Sequence, residues 1–341
     1  MKKRAILFYD WPAAFGDAML AMDILRDYKR ENPLAIVYAL LNDQTYPHVA
    51  PFAFNEGIID MAWPVCAHLA ELQLFSAKLK SLIANLKFDD VFIIHNHGDW
   101  GIIEILSWPN FKTAKITLHP AVTVRPYSEI ITQTHNTAVW HSSGITQGLT
   151  LNHAILPILN SLDKQKKSLG IFPCSSNNIQ HISYKGLLKI SEWLKQKFNI
   201  ILLGVEVLGY GHDFYTKYAS SVETLNVIDL IGYGPLKQFE LLKHLEVVLV
   251  TSGAVVLPLL YPVPTILLNC GRQRLHGYER FFTSATETVN PLCEYYPCDD
   301  MKTNEQGFYL CRKTNTIEPL CLANGINMQG IEQALQKLVG E

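Results

Sequence analysis

The chain has little of what most charged interaction surfaces are made from. Only 18% of its 341 residues carry a charge, 29 basic against 31 acidic, and the net charge is −2. That balance excludes a nucleic-acid binder relying on a basic field. No apolar run reaches the length of a membrane span. Met1-Lys-Lys-Arg4 has the charge of a secretion-signal start, but the apolar run behind it is only Ala5 to Tyr9 before Asp10 interrupts. It reads as a first strand and not as a signal, so a cytoplasmic protein is expected. Cysteine is also scarce. Of seven, Cys66, Cys174 and Cys270 are scattered among apolar neighbours and are expected to be inert core residues.

What is present is an ordinary globular composition, 48% apolar, on a chain long for one domain and comfortable for two. A chain of this size buries about three quarters of its unfolded surface and needs no disulfide or partner to fold. Ala5–Tyr9 reads as a strand, Asp10–Gly16 as a loop, and Asp17 opens a helix carrying Met19, Leu20, Met22, Ile24 and Leu25. Strands at 34–40 and 90–95 follow, with a mostly helical stretch at 66–86 between them. This alternation predicts a doubly wound α/β domain. His95-Asn-His-Gly-Asp-Trp-Gly101 leaves a strand at the edge where such sheets hold ligands. Its two histidines, at i and i+2, could ligate a metal but have no third partner at evident spacing; a substrate-facing loop and a plain loop are the other readings. Residues 127–153 are read as loops and short elements.

The polar segment Leu162–Ser168 is the expected linker between an N-terminal domain at 1–162 and a C-terminal domain at 169–341. Beyond it the alternation resumes, with strands at 170–173, 199–203 and 227–231 and helices at 184–198 and 235–244. The pattern is densest at Val247–Asn269. There a β-branched run ends at Val250, Thr251-Ser252-Gly253 and an apolar helix follow, and a second buried run spans Thr265–Leu268. Runs apolar at every position suit parallel strands covered on both faces. A Gly-bearing turn into a helix start suits an anion, though an ordinary βαβ connection has the same outline. The expected architecture is two Rossmann-like α/β domains facing a cleft.

Cys293, Cys298, Cys311 and Cys321 fall within 29 positions, spaced C-x4-C, then C-x12-C and C-x9-C. Thiols so clustered in a cytosolic chain point to a tetrahedral metal site for zinc or iron, with free buried thiols or a disulfide as alternatives.

The order of these features resembles glycosyltransferase family 9, the bacterial heptosyltransferases of GT-B fold. Gly16-Asp17 matches the pair opening the family's first helix. Gly170–Asn178 matches its Ser/Gly-containing loop, and Gly204-Val-Glu206 its G-x-E. Leu230-Ile-Gly232 with Pro235–Leu242 matches a further helix, and Thr251–Val256 the D-[ST]-G-x-x-H turn. The likeness is diffuse but collinear over nearly the whole chain. It implies an inverting transfer of a sugar from a nucleotide-diphosphate sugar to a hydroxyl of a bacterial surface glycan or a protein. Asp17 would be the general base, against the plainer reading that it caps its helix. Glu206 would contact the ribose. Ser175, Gln180, Thr251, Ser252, Gly253 and Arg272 would line the donor site, with no catalytic metal. Peripheral association with the inner membrane stays open. The autotransporter heptosyltransferases have a similar cysteine cluster that holds iron, and Cys321-Leu-Ala-Asn-Gly-Ile326 approximates its ending with one extra residue. A four-thiolate metal in this chain would be structural.

The departures are specific. Thr251 stands where the family has Asp, Val256 where it has His, and Gln180 near where it has the Lys that neutralises the donor phosphates. A lost charge-assisted contact there is worth roughly 1.5–3 kcal/mol. His181, Arg272 or Arg274 would have to replace it. Either the donor differs from ADP-heptose, or the chain is a GT-B-fold binding or scaffold protein without turnover. A nucleotide-sugar epimerase of the same shape would need more carboxylates than can be placed.

Overall fold

The computed structural model of the chain describes residues 2–9, 15–42, 46–65, 81, 83–95, 109–120, 156–174, 178–204, 225, 227–232, 238, 241–251, 263–271, 284–298 and 301–340. At 15–21, 23, 42, 48, 52, 65, 94–95 and 118–120 it describes the backbone alone. The chain divides into two compact units, Met1–Ala138 and Val139–Glu341.

In the first unit, strand β1 (Arg4–Tyr9) is apolar at each of its last five positions, and all five are buried. A strand with no polar face needs a neighbour on each side and cover above and below. It pairs in parallel with β2 (Ile36–Asn42) on one side and β4 (Asp90–His95) on the other. With β3 (Met61–Val65) and β5 (Lys115–Pro120) the sheet order is β3-β2-β1-β4-β5. Helix α1 (Phe15–Glu31) links β1 to β2, and α2 (Tyr46–Asn55) links β2 to β3. An aromatic cluster fills one face: Phe88 stacks on Phe111 at 5.3 Å and meets Tyr38 edge-on at 5.4 Å. Asp60 ties helix to sheet, accepting from the Val37 N–H at 2.7 Å and from Lys29 Nζ at 2.5 Å.

The second unit repeats the scheme with a longer sheet. Its strands are β6 (Lys167–Phe172), β7 (Phe198–Leu202), β8 (Ile228–Asp229), β9 (Val247–Thr251), β10 (Thr265–Leu268) and β11 (Thr286–Val289). All pair in parallel, in the order β11-β10-β9-β6-β7-β8. Every residue of β9 and β10 is buried, as their unbroken apolar runs require. The short helix α3 (Leu156–Ser161) precedes β6, and the segment expected as a linker is bonded to the start of β7. There Asn199 accepts from the Asp163 N–H and donates to the Asp163 and Lys166 carbonyls. Helix α4 (Tyr184–Leu194) begins at Ser183, whose hydroxyl accepts the Gly186 N–H. The last helix, α5 (Met328–Val339), is capped by Asn327 and lies on β9, β10 and β11. Leu187, Ile190 and Leu194 of α4 and Ile331 and Leu335 of α5 join Ile171, Leu202, Leu249 and Ile266 in one core. Among the described residues no helix is long and apolar enough to cross a membrane.

Gly186 sits where α4 meets the chain after Cys321. A Cβ there would lie 2.3 Å from the Leu322 carbonyl oxygen, a backbone atom that cannot swing aside. Helix propensity alone would favour alanine by about 1 kcal/mol. Overpacking costs about 1–3 kcal/mol and should win. Gly186→Ala is therefore expected to lower stability in a urea titration. A gain in stability would show that this contact is not tight.

Candidate functional site

Both sheets change winding direction beside their first strand, and ligands of such sheets bind at the carboxyl end of that switch point. In the first unit the switch lies between β1 and β4, where Tyr9 pairs with Ile94. The chain leaves β1 toward α1 and leaves β4 at His95. Helix α1 starts at Phe15, so Asp17 belongs to its first turn rather than to the capping position. The loop residues 96–101 lie outside the described residues.

In the second unit the switch lies between β6 and β9, where Phe172 pairs with Val250. Three segments meet this edge: Pro173-Cys174 with Asn178–Ser183 after β6, Thr251 at the end of β9, and Asn269-Cys270-Gly271 after β10. Thr251 is fully buried, and its Oγ1 has no hydrogen-bond partner among the described residues. A buried hydroxyl left in this way costs about 1–3 kcal/mol, which is a reason to look for a ligand there. Cys174 and Cys270 behave as core residues, as their apolar neighbours imply: burial pushes the Cys174 thiol up to about 12 and the Cys270 thiol well above its usual range. Gln180 lies in a buried 3-10 turn, Asn178–Gln180, and the adjacent His181 is fully buried. Ser175, Glu206, Ser252, Gly253, Val256, Arg272 and Arg274 lie outside the described residues.

Two positioning residues lie in stretches that the motifs mark but have no role assigned by them. Gln238, 1% exposed, accepts the Gly204 N–H at 2.8 Å and donates to the carbonyls of Gly204 and Leu230. It thereby fixes Gly204, the first residue of the expected G-x-E, against the end of β8. Asn178 donates to the Tyr309 and Ile317 carbonyls at 2.7 and 2.8 Å and accepts the Tyr309 N–H at 3.1 Å. Gln and Asn are common in helices and turns, so residue type singles out neither; only the long-range partners do.

Those partners of Asn178 belong to the cysteine-rich lobe, which follows β11 and ends at α5. Its four thiols are free, and Cys298, Cys311 and Cys321 are buried. Burial pushes the Cys298 thiol up, and the neighbouring Cys293 and Cys311 act in the same direction. Burial pushes Cys321 up to about 12, with the Gly271 N–H working against it. Burial acts upward on Cys311 as well, but the Thr314 hydroxyl and the N–H groups of Leu320, Thr314 and Lys313 outweigh it, and its thiol is held below the usual range. Backbone donors aimed at sulfur favour thiolate, the form a soft metal binds. Of the shifted thiols only Cys311 is held toward thiolate, whereas burial pushes Cys298 and Cys321 the other way. Among the described residues no three His, Cys, Asp or Glu side chains are gathered closely enough to hold an ion.

No protein-family model and no curated protein sequence matches this chain. Solved structures do. ADP-heptose lipopolysaccharide heptosyltransferase II of E. coli aligns over 99% of this chain and 98% of its own, with a TM-score of 0.61 and 13% identity. A glycosyl transferase of family 9 from Veillonella parvula aligns over 98% and 97%, with a TM-score of 0.60 and 11% identity. A UDP-N-acetylglucosamine 2-epimerase from Listeria monocytogenes aligns over 82% of each chain, with a TM-score of 0.51 and 12% identity. The fold is therefore the α/β fold of the GT-B glycosyltransferases, as the order of motifs implied.

Thr251→Val removes the buried hydroxyl while keeping its shape. The unliganded variant is expected to be more stable than the wild type by about 1 kcal/mol, read as a higher melting temperature. A lower one would mean that the hydroxyl has a structural partner.

Proposed function

We propose that the chain is a glycosyltransferase that takes its sugar from a nucleotide-diphosphate sugar. The observation that carries this reading is the buried Thr251 hydroxyl at the β6/β9 switch point. A transferase of this shape would hold its donor at that point. The fold alone is shared with an epimerase, but the transferase structures cover nearly the whole chain and the epimerase covers 82% of it. The acceptor is a hydroxyl of a bacterial surface glycan or of a protein, and the transferred sugar is a heptose or hexose.

In the proposed reaction the acceptor oxygen attacks the anomeric carbon from the face opposite the leaving group. The new C–O bond forms as the bond to the β-phosphate oxygen breaks, and its electron pair leaves with the nucleoside diphosphate. Asp17 accepts the proton of the attacking hydroxyl, and inversion follows from the single displacement. Glu206 contacts the ribose. Ser175, Gln180, Ser252, Gly253 and Arg272 surround the diphosphate, where backbone N–H groups stabilise the departing charge. No catalytic metal is part of this scheme.

A second reading has its own support. Thr251 and Gln180 are uncharged where a donor phosphate or its partners would favour charge, and Gln180 is 7% exposed. A protein that binds the nucleotide sugar without turning it over fits both positions. We further propose that the four thiols of Cys293, Cys298, Cys311 and Cys321, drawn closer together than they stand in this structure, hold one structural zinc or iron, a fully occupied site with no open position.

A thermal-unfolding panel of ADP-, UDP-, GDP-, CMP- and dTDP-linked sugars tests the donor site. A ligand at a hundredfold its Kd adds about 2.7 kcal/mol and should raise the melting temperature visibly. Silence across the panel would sink the reading. With the donor found, Asp17→Ala is expected to abolish transfer while leaving donor affinity unchanged. Equal activity in variant and wild type would remove Asp17 as the base. Binding without turnover in the wild type selects the second reading. For the lobe, protein purified without added metal is expected to hold about one equivalent of zinc or iron, lost in Cys298→Ser. A metal-free, fully folded wild type would refute the metal.

A further inference from the structure

The cysteine-rich lobe is bonded to two of the three segments that form the second unit's ligand edge. On one side Asn178, 2% exposed, spends its whole side-chain amide on the lobe. Its Nδ2 donates to the Tyr309 and Ile317 carbonyls, and its Oδ1 accepts the Tyr309 N–H. On the other side the Cys298 N–H donates to the Gly271 carbonyl at 2.9 Å. Gly271 itself adopts a positive φ of 55°, and a Cβ on it would lie 2.8 Å from Ile179 Cδ1. The segment after β6 and the segment after β10 are thus pressed together at Gly271 and Ile179, with the lobe bonded to each. The loop is closed at its base as well. The Ile182 N–H donates to the Pro173 carbonyl at 2.9 Å, and the Ser183 N–H donates to the Leu322 carbonyl just past Cys321, also at 2.9 Å.

This arrangement asks more of Asn178 than of a residue that merely fills a turn. A buried amide with three backbone partners has one orientation, and its partners lie 131 and 139 residues away in sequence. We propose that Asn178 is a positioning residue for the nucleotide edge: through it the cysteine-rich lobe sets the conformation of Asn178–Ser183, the described stretch that leads into α4. The proposal rests on the reading of that edge as the donor site. It gives the lobe a role beyond its own stability, because loosening its 309–317 stretch releases Asn178–Ser183 with it.

The structure supplies its own control. Asn199, at the opposite end of the same sheet, makes the same pattern of bonds: it accepts the Asp163 N–H and donates to the Asp163 and Lys166 carbonyls. Removing it costs the same number of bonds, from a more exposed position, without touching the edge.

The first measurement is hydrogen–deuterium exchange of the unliganded wild type, Asn178→Ala and Asn199→Ala. Asn178→Ala is expected to speed exchange in the peptide from Phe172 to Ser183 and in the 301–321 lobe together, and Asn199→Ala in neither. Unchanged exchange between Phe172 and Ser183 in a folded Asn178→Ala protein overturns the proposal, whatever the nucleotide does. The second measurement is calorimetric titration with UDP and ADP. Asn178→Ala and Asn178→Asp are both expected to bind the preferred nucleotide at least about tenfold more weakly, the loss of two to three hydrogen bonds in positioning, while Asn199→Ala binds as wild type does. Weakening in Asn178→Asp alone would be the repulsion of a new carboxylate and would count against the proposal. Failure of the wild type to bind either nucleotide defeats the reading of the edge as a donor site for these bases and leaves the exchange experiment to decide the role of Asn178.

Discussion

Parallel strands without a polar face constrain everything else in this protein. β1, β9 and β10 have no side on which water is tolerated, so each must be flanked in its sheet and covered on both faces. Parallel neighbours cannot be joined by a hairpin, and each connection must run back over the sheet. The chain starts each sheet in its middle, builds one way, then crosses to build the other way. That reversal leaves a crevice at the carboxyl end of β1 and another at that of β6. The candidate site is a consequence of burial.

What distinguishes the second crevice is how its walls are held. Gln238 secures the end of β7 against the end of β8, and Asn178 and Gly271 secure the segments after β6 and β10 against the cysteine-rich lobe. These are buried polar contacts with every partner on the backbone, the kind that specify one loop conformation rather than add much stability. Within this frame the Thr251 hydroxyl stands without a described partner. A protein that keeps such a group pays a small stability cost at a place where a ligand would recover it.

The cysteine-rich lobe is less an appendage than its spacing suggests. Cys321, Leu322 and Ile326 belong to the same core as the strands of the second sheet, and Lys189 of α4 reaches the carbonyls of Asn324 and Ile326. Cys321 is thus part of the core while the Cys298 N–H is bonded to the ligand edge at Gly271, and backbone donors hold the Cys311 thiol below its usual range. The lobe is positioned to be felt at that edge.

The strands were legible in the sequence because burial on both faces writes itself as an unbroken apolar run. Val247–Val250 and Ala5–Tyr9 need no partner to be recognised, and Asp90–His95 was bounded correctly from its own residues. Helix α4 was legible from its amphipathic period, although it ends at Leu194, four residues short of the expected Phe198, because β7 begins at Phe198. The order of motifs was enough to imply the fold. What the tertiary structure alone decided was the role of uncharged polar residues. Asn178, Gln238 and Thr251 all lie in stretches that the motifs mark, but what each does there depends on partners brought from distant parts of the chain, or on the lack of a described one. The physical reason is the range of the forces. Burial of apolar surface acts locally on a residue and repeats with the backbone's own period, whereas a buried hydrogen bond depends on an atom whose place only the completed fold supplies.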